Sequence, residues 1–121
     1  MEQETIRGRL GRLGEEAAVG HYSSRGYQVV ARNWTCPLGE LDLVLRRGST
    51  LVFCEVKART GNALGGPFDA VTSRKQRKLR ALAEAFLSRQ RFGADDVRFD
   101  VASVTIDAGG APSVFVFEGA F

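Results

Sequence analysis

Apolar residues near the N-terminus of the chain recur at helical spacing. Leu10, Leu13, Ala17 and His21 fall three or four positions apart, which predicts a helix from about Thr5 to Arg25 with its stop at Gly26. Gly8, Gly11, Gly14 and Gly20 interrupt that helix. Each weakens it by about 1 kcal/mol relative to alanine, so the first residues are expected to fray and the helix to be firm from about Leu10. The pattern then changes. Tyr27–Trp34, Glu40–Arg46 and Leu51–Ala58 are rich in β-branched, aromatic or other apolar residues, and Cys36-Pro37-Leu38-Gly39 and Arg47-Gly48-Ser49 between them are turn chemistry. Three strands joined by short loops predict an antiparallel meander.

Gly61, Gly65, Gly66 and Pro67 mark a loop from Arg59 to Asp69, long enough to be of functional interest. Ser73 and Gln76 have the spacing of a capping box, and Leu79, Leu82, Ala83, Phe86 and Leu87 form one apolar face of a helix that runs to about Gln90. Val97–Ile106 reads as a strand, Asp107–Gly110 as a turn and Ser113–Phe117 as a last strand. The order helix, three strands, helix, two strands predicts an α/β fold, with a central mixed sheet flanked by helices in one domain spanning residues 1–121.

Composition narrows this picture only a little. The chain is 44% hydrophobic and 26% charged, so a core forms without disulfides or a structural metal. Seventeen Lys and Arg against 14 Asp and Glu leave a net charge of +3, which by itself only hints at a nucleic-acid partner. Cys36, Cys54 and the single His21 are too few for a four-ligand zinc site. The two cysteines read as reduced thiols of a cytoplasmic protein. The opening MEQETIRGRL has no apolar core of a signal peptide, and no run approaches the ~20 apolar residues of a membrane span, so no membrane association is expected.

The candidate chemistry lies in two strands. Asp42 stands among Leu41, Leu43, Val44 and Leu45, and Glu55 and Lys57 stand in the run from Leu51 to Lys57. Ionised groups in such company are costly unless paired or bound to a cation. Side chains alternate along a strand, so Glu55 and Lys57 share a face, and Asp42 lies beside Glu55 if the two strands are neighbours. Two carboxylates and an ammonium group then converge, and a divalent ion such as Mg²⁺ or Mn²⁺ would relieve the carboxylate repulsion. Such an ion polarises a phosphate and lowers the pKa of a bound water, and Lys57 could orient that water or stabilise charge on the phosphate. The competing reading is a buried ion pair between Lys57 and one carboxylate. The residues alone leave the two readings about even.

Asp42 followed by Glu55-Val56-Lys57 resembles the PD-(D/E)xK nuclease signature. Gly14-Glu15, Ala18, Gly26-Tyr27, Arg32-Asn33, Gly39-Glu40-Leu41-Asp42, Phe53, Glu55 to Arg59, Lys75 and Arg98-Phe99-Asp100-Val101 together resemble the YraN-like family of small bacterial proteins. The likeness extends over nearly the whole chain. It implies a restriction-endonuclease-like fold similar to that of archaeal Holliday-junction resolvases. It also implies roles: Asp42 and Glu55 as metal ligands, Lys57 as the active-site lysine, and Glu15 as an outer carboxylate on the first helix, preferred over Glu16 because it follows Gly14. Leu41 stands where the signature usually has proline.

Outside this set, Arg74, Lys75, Arg77, Lys78 and Arg80 crowd the start of the second helix. They read either as a solvated face or as phosphate contacts to DNA. Their sign opposes the helix dipole, which favours a functional reason. Arg7, Arg9 and Arg12 form a second basic group, and Arg59 is a further candidate phosphate contact. Tyr27 and Trp34 are expected to pack in the core and Asp100 to pair with Arg98 or a helix cation. The expected function is a metal-dependent DNA nuclease. The alternative is a catalytically silent nucleic-acid-binding module or adaptor. A homodimer is expected by analogy with the resolvases.

Overall fold

The computed structural model describes residues 5–61, 71–90 and 93–121, with only the backbone of residues 6 and 7. Most of the expected loop, residues 62–69, and the side chain of Arg7 lie outside the described residues. The elements are α1 (Ile6–Ser23), β1 (Gln28–Cys36), β2 (Gly39–Arg47), β3 (Thr50–Thr60), α2 (Ser73–Gln90), β4 (Asp96–Ile106) and β5 (Pro112–Phe117). They occur in the predicted order. The strands form one five-stranded sheet in the order β1-β2-β3-β4-β5. The first three are the antiparallel meander, β3 and β4 pair in parallel across the α2 crossover, and β5 returns antiparallel at the edge. A parallel neighbour requires such a long connection, so α2 is obliged to cross one face of the sheet.

Two cores result, one on each face. Phe86, Leu82, Leu79 and Ala83 of α2 pack with Val44, Leu51, Phe53, Phe99 and Val101. Ala18 and Tyr22 of α1 pack with Leu43, Leu45, Val52, Cys54 and Ala102. Tyr27 is buried and Trp34 stacks edge-on against Phe86, both as core residues. Cys36 and Cys54 are free thiols, and burial pushes Cys54 up to about 12.

Helix α1 begins at Ile6, next to the expected start at Thr5, whose hydroxyl accepts from the Gly8 amide at 2.9 Å and caps it. Its inward line is Gly14, Ala18 and Tyr22, one step along from Leu13, Ala17 and His21. Gly14 is there for packing. A Cβ at that position would stand 2.5 Å from Ala58 Cβ, whereas one at Gly11 would meet nothing within 4 Å. Gly11→Ala is therefore expected to stabilise the fold by about 0.5–1 kcal/mol through helix propensity. Gly14→Ala should destabilise it by up to about 2 kcal/mol, because overpacking outweighs that gain. Urea unfolding of the two variants checks the opposite signs. Equal shifts would refute the close approach.

The second helix is capped one residue earlier than the capping-box reading placed it. Thr72 Oγ1 accepts from the Lys75 amide at 3.2 Å, and the Gln76 side chain donates back to the Val71 carbonyl at 2.9 Å. Ser73 is the first helical residue.

Candidate active site

Strands β2 and β3 pair from Arg47–Thr50 up to Leu43–Cys54, and there the ladder ends. One step further, Asp42 would have faced Glu55. On either side the sheet continues, β1–β2 to Cys36–Gly39 and β3–β4 to Thr60–Ile106. The sheet thus forks at Asp42. The Val56 amide donates to Asp42 Oδ2 at 2.9 Å, so the side chain accepts a bond from β3 beyond the end of the ladder.

Asn33 on β1 marks the same break. Its φ of 51° is the left-handed region, which asparagine tolerates better than most residues. Flanking residues that strict alternation would place on one face separate: Arg32 reaches Glu16 of α1, while Trp34 packs on Phe86 of α2. In β2 their partners Leu43 and Leu41 likewise enter opposite cores. Asp42, between them, sits where both faces are within electrostatic reach.

The surrounding carboxylates come from three further positions. Burial pushes Asp42 up to about 6. The Val56 amide opposes that shift, while Glu55, Glu15 and Glu40 add repulsion. Glu15 approaches from α1 and is held by the Asn33 side-chain amide at 2.9 Å. Glu16 turns away to Arg32 at 2.6 Å. The two adjacent glutamates therefore have different surroundings, and only Glu15 is among the charges raising Asp42. Asn33, which the sequence reading quoted without a role, positions Glu15. Its signal was its residue type, since asparagine is enriched at positive φ.

Glu55, on the α2 face, is largely buried and pairs with Lys75 Nζ at 2.6 Å. Lys75 therefore points into the site rather than out along a basic helix face. Its neighbours also diverge. The stem of Lys78 lies over Gly39, Arg80 covers the Phe99 and Phe121 rings, and Arg74 and Arg77 are exposed. Lys57 and Arg59 are half-buried on β3 beyond the fork.

Two shallow clefts meet at Gly11. One of about 590 Å³ is bordered by Arg12, Glu15, Arg32 and Asn33, and the other, of about 450 Å³, by Leu10, Val56, Lys57 and Arg59. A larger cleft of about 640 Å³ lies between α2 and β4 around Leu87, Val97 and Phe121; Arg80 of the basic group borders it, and Glu15, Asp42, Glu55 and Lys57 do not.

The donor set suits a hard divalent cation: carboxylates, with unrelieved repulsion at Asp42. Among the described residues no three Asp, Glu, His or Cys side chains stand close enough to hold one ion as they are. Glu55 is drawn to Lys75 and Glu15 to Asn33, so ligation requires these side chains to turn toward Asp42. No helix among the described residues is long and apolar enough to cross a membrane.

Comparison with known proteins gives one consistent relation. The profile of the family described as "Uncharacterised protein family UPF0102" matches residues 14–104. The chain is 46% identical to a UPF0102 protein of Parafrankia sp. (strain EAN1pec) over 113 residues, covering 93% of this chain and 96% of that protein. It is 43% identical to a UPF0102 protein of Acidothermus cellulolyticus, covering 93% of this chain and 92% of that one. A UPF0102 protein of Mycobacterium ulcerans is 46% identical over 107 residues, covering 87% and 88%. The matched segment contains Glu15, Asp42, Glu55 and Lys57 together with the fork that gathers them, and the chain belongs to the UPF0102 family, the YraN-like group.

Proposed function

We propose that the protein is a metal-dependent nuclease acting on DNA, with Asp42, Glu55 and Glu15 as the cation's ligands and Lys57 as the active-site lysine. The observation that carries this reading is the fork: β2 and β3 part where Asp42 and Glu55 would pair, and burial there, with repulsion from Glu55, Glu15 and Glu40, raises Asp42. When bound, Mg²⁺ or Mn²⁺ would polarise the scissile phosphate and lower the pKa of a water. Lys57 follows Glu55 on the same face of β3 and stabilises negative charge developing on the phosphate. Arg59, Arg74, Arg77 and Lys78 contact the phosphate backbone. Lys75 pairs with Glu55 and would be free to join them were Glu55 to hold a cation. The β-β-β-α-β core resembles restriction-endonuclease-like folds, and its likeness to junction resolvases favours a homodimer that cuts two strands. Two free thiols suit the reducing cytoplasm.

The test is cleavage of labelled linear, flapped and four-way-junction DNA with Mn²⁺, Mg²⁺ or EDTA, with Glu55→Ala alongside. Metal-dependent cutting that is lost in the variant is expected. Cutting that survives both Glu55→Ala and Lys57→Ala would overturn the site. The Lys75–Glu55 pair favours a second reading, a DNA-binding module that no longer cleaves, because it neutralises one ligand. That reading requires DNA binding unchanged by metal and by Asp42→Asn.

A further inference from the structure

The row that carries the lysine continues across the sheet. Lys57 pairs with Ser103 on β4, and Ser103 pairs with Phe115 on β5. Two residues back along each strand, Glu55, Val101 and Phe117 form the preceding row. Val101 and Phe117 pack into the α2-side core, so Lys57, Ser103 and Phe115 project from that same face. Phe115 is 58% exposed, and its ring rests 4.7 Å from that of Phe117. Ser103 between them is buried, and its hydroxyl has no hydrogen-bond partner among the described residues. Two strand spacings separate Lys57 from Phe115, roughly 10 Å.

Resting on the nuclease reading, we propose that Phe115 is a stacking platform for an unpaired base of the substrate strand whose phosphate lies at Lys57. A large exposed aromatic ring offers a flat face on which a base can stack. Here it stands in register with the candidate lysine, and Arg74 and Arg77, exposed on either side of the Lys75 that pairs with Glu55, supply cations near the lysine end of that row. A base inside a continuous duplex has both faces covered by its neighbours. Only an end, a flap, a junction arm or a single strand offers a free face to a ring, and stacking of this kind tolerates any base. The substrate class is therefore DNA with unpaired nucleotides beside the scissile phosphate, bound by shape rather than by sequence.

The experiment measures fluorescence anisotropy of a labelled oligo-dT strand and of a closed-ended dumbbell duplex in EDTA at low salt, for wild type, Phe115→Ala and Phe115→Trp. Phe115→Ala is expected to weaken oligo-dT binding by roughly 5- to 140-fold, to leave dumbbell binding unchanged, and to melt at the wild-type temperature. Phe115→Trp should bind oligo-dT at least as well as wild type, with indole fluorescence quenched on binding. Equal binding by Phe115→Ala, or an equal loss on strand and dumbbell, would overturn the platform. If Phe115→Ala instead converts a dimer into a monomer in sedimentation with DNA affinity unchanged, the ring covers a second copy of the chain and the platform is refuted. Failure of the wild type to bind either DNA would sink the nuclease reading itself, a result separable from loss of the strand preference alone.

Discussion

Asp100→Ala is expected to destabilise the fold by about 3–5 kcal/mol. Asp100 is fully buried and accepts four hydrogen bonds: from Tyr22 Oη at 2.7 Å, from Arg98 Nε at 2.8 Å and Nη2 at 2.9 Å, and from the Gly119 amide at 3.0 Å. Its bidentate bonds hold the Arg98 pKa above its ordinary value against the opposing effect of burial, and Arg98 in turn donates to Tyr27 Oη at 3.0 Å. Burial also pushes the Tyr22 phenol far above its ordinary value. Alanine would leave a guanidinium and a buried phenol without their acceptor, and that loss dominates the cost. Asparagine keeps the shape but presents an amide to donors, so it should fall between wild type and alanine. Denaturant unfolding followed by circular dichroism measures this. A loss under about 1 kcal/mol would mean that water replaces the carboxylate, contrary to its zero exposure.

The second large effect has opposite signs for stability and activity. Asp42→Asn should reduce metal-dependent cleavage by at least ~10²-fold, since even residues that only orient metal ligands account for 10- to 100-fold. In metal-free buffer at neutral pH the same variant should be more stable than wild type, by up to about 3 kcal/mol. Asp42 is raised to about 6 by burial, with Glu55, Glu15 and Glu40 adding repulsion. Between about pH 4 and pH 6 the folded protein therefore retains a proton that the unfolded chain has released. Stability attributable to this group falls as pH rises through that window and levels off above it. The advantage of Asp42→Asn should grow over the same window, because an asparagine oxygen can still accept from the Val56 amide. Thermal melts in EDTA from pH 4 to 8 measure it. A variant less stable than wild type at pH 7 would indicate a structural ion pair instead of a site awaiting a cation.

The hydrophobic pattern was enough to place seven elements in order, because period and turn chemistry are local properties of the chain. The candidate residues were legible for a related reason: Asp42, Glu55 and Lys57 are charges set into apolar strands, and such placements require an explanation. Other signals were local yet misread. The glycines of α1 register in sequence as helix-weakening, and only the 2.5 Å approach to Ala58 gives Gly14 its purpose. The basic start of α2 looked like one face, but Lys75 turns inward because Glu55 lies beneath it.

What the sequence determined by itself was the identity of the strands and helices, the alternation that puts Glu55 and Lys57 on one face, and the family pattern of charges. What only the tertiary structure decided was how these meet. The parting of β2 from β3, the left-handed turn at Asn33 that holds Glu15, and the bond from Tyr22 to Asp100 across 78 residues all join segments remote in sequence. Propensity and periodicity act within a few residues. The burial and repulsion that raise Asp42, and the burial of Asp100, arise only when distant segments share one space, and the pattern of a single segment does not encode its distance to another.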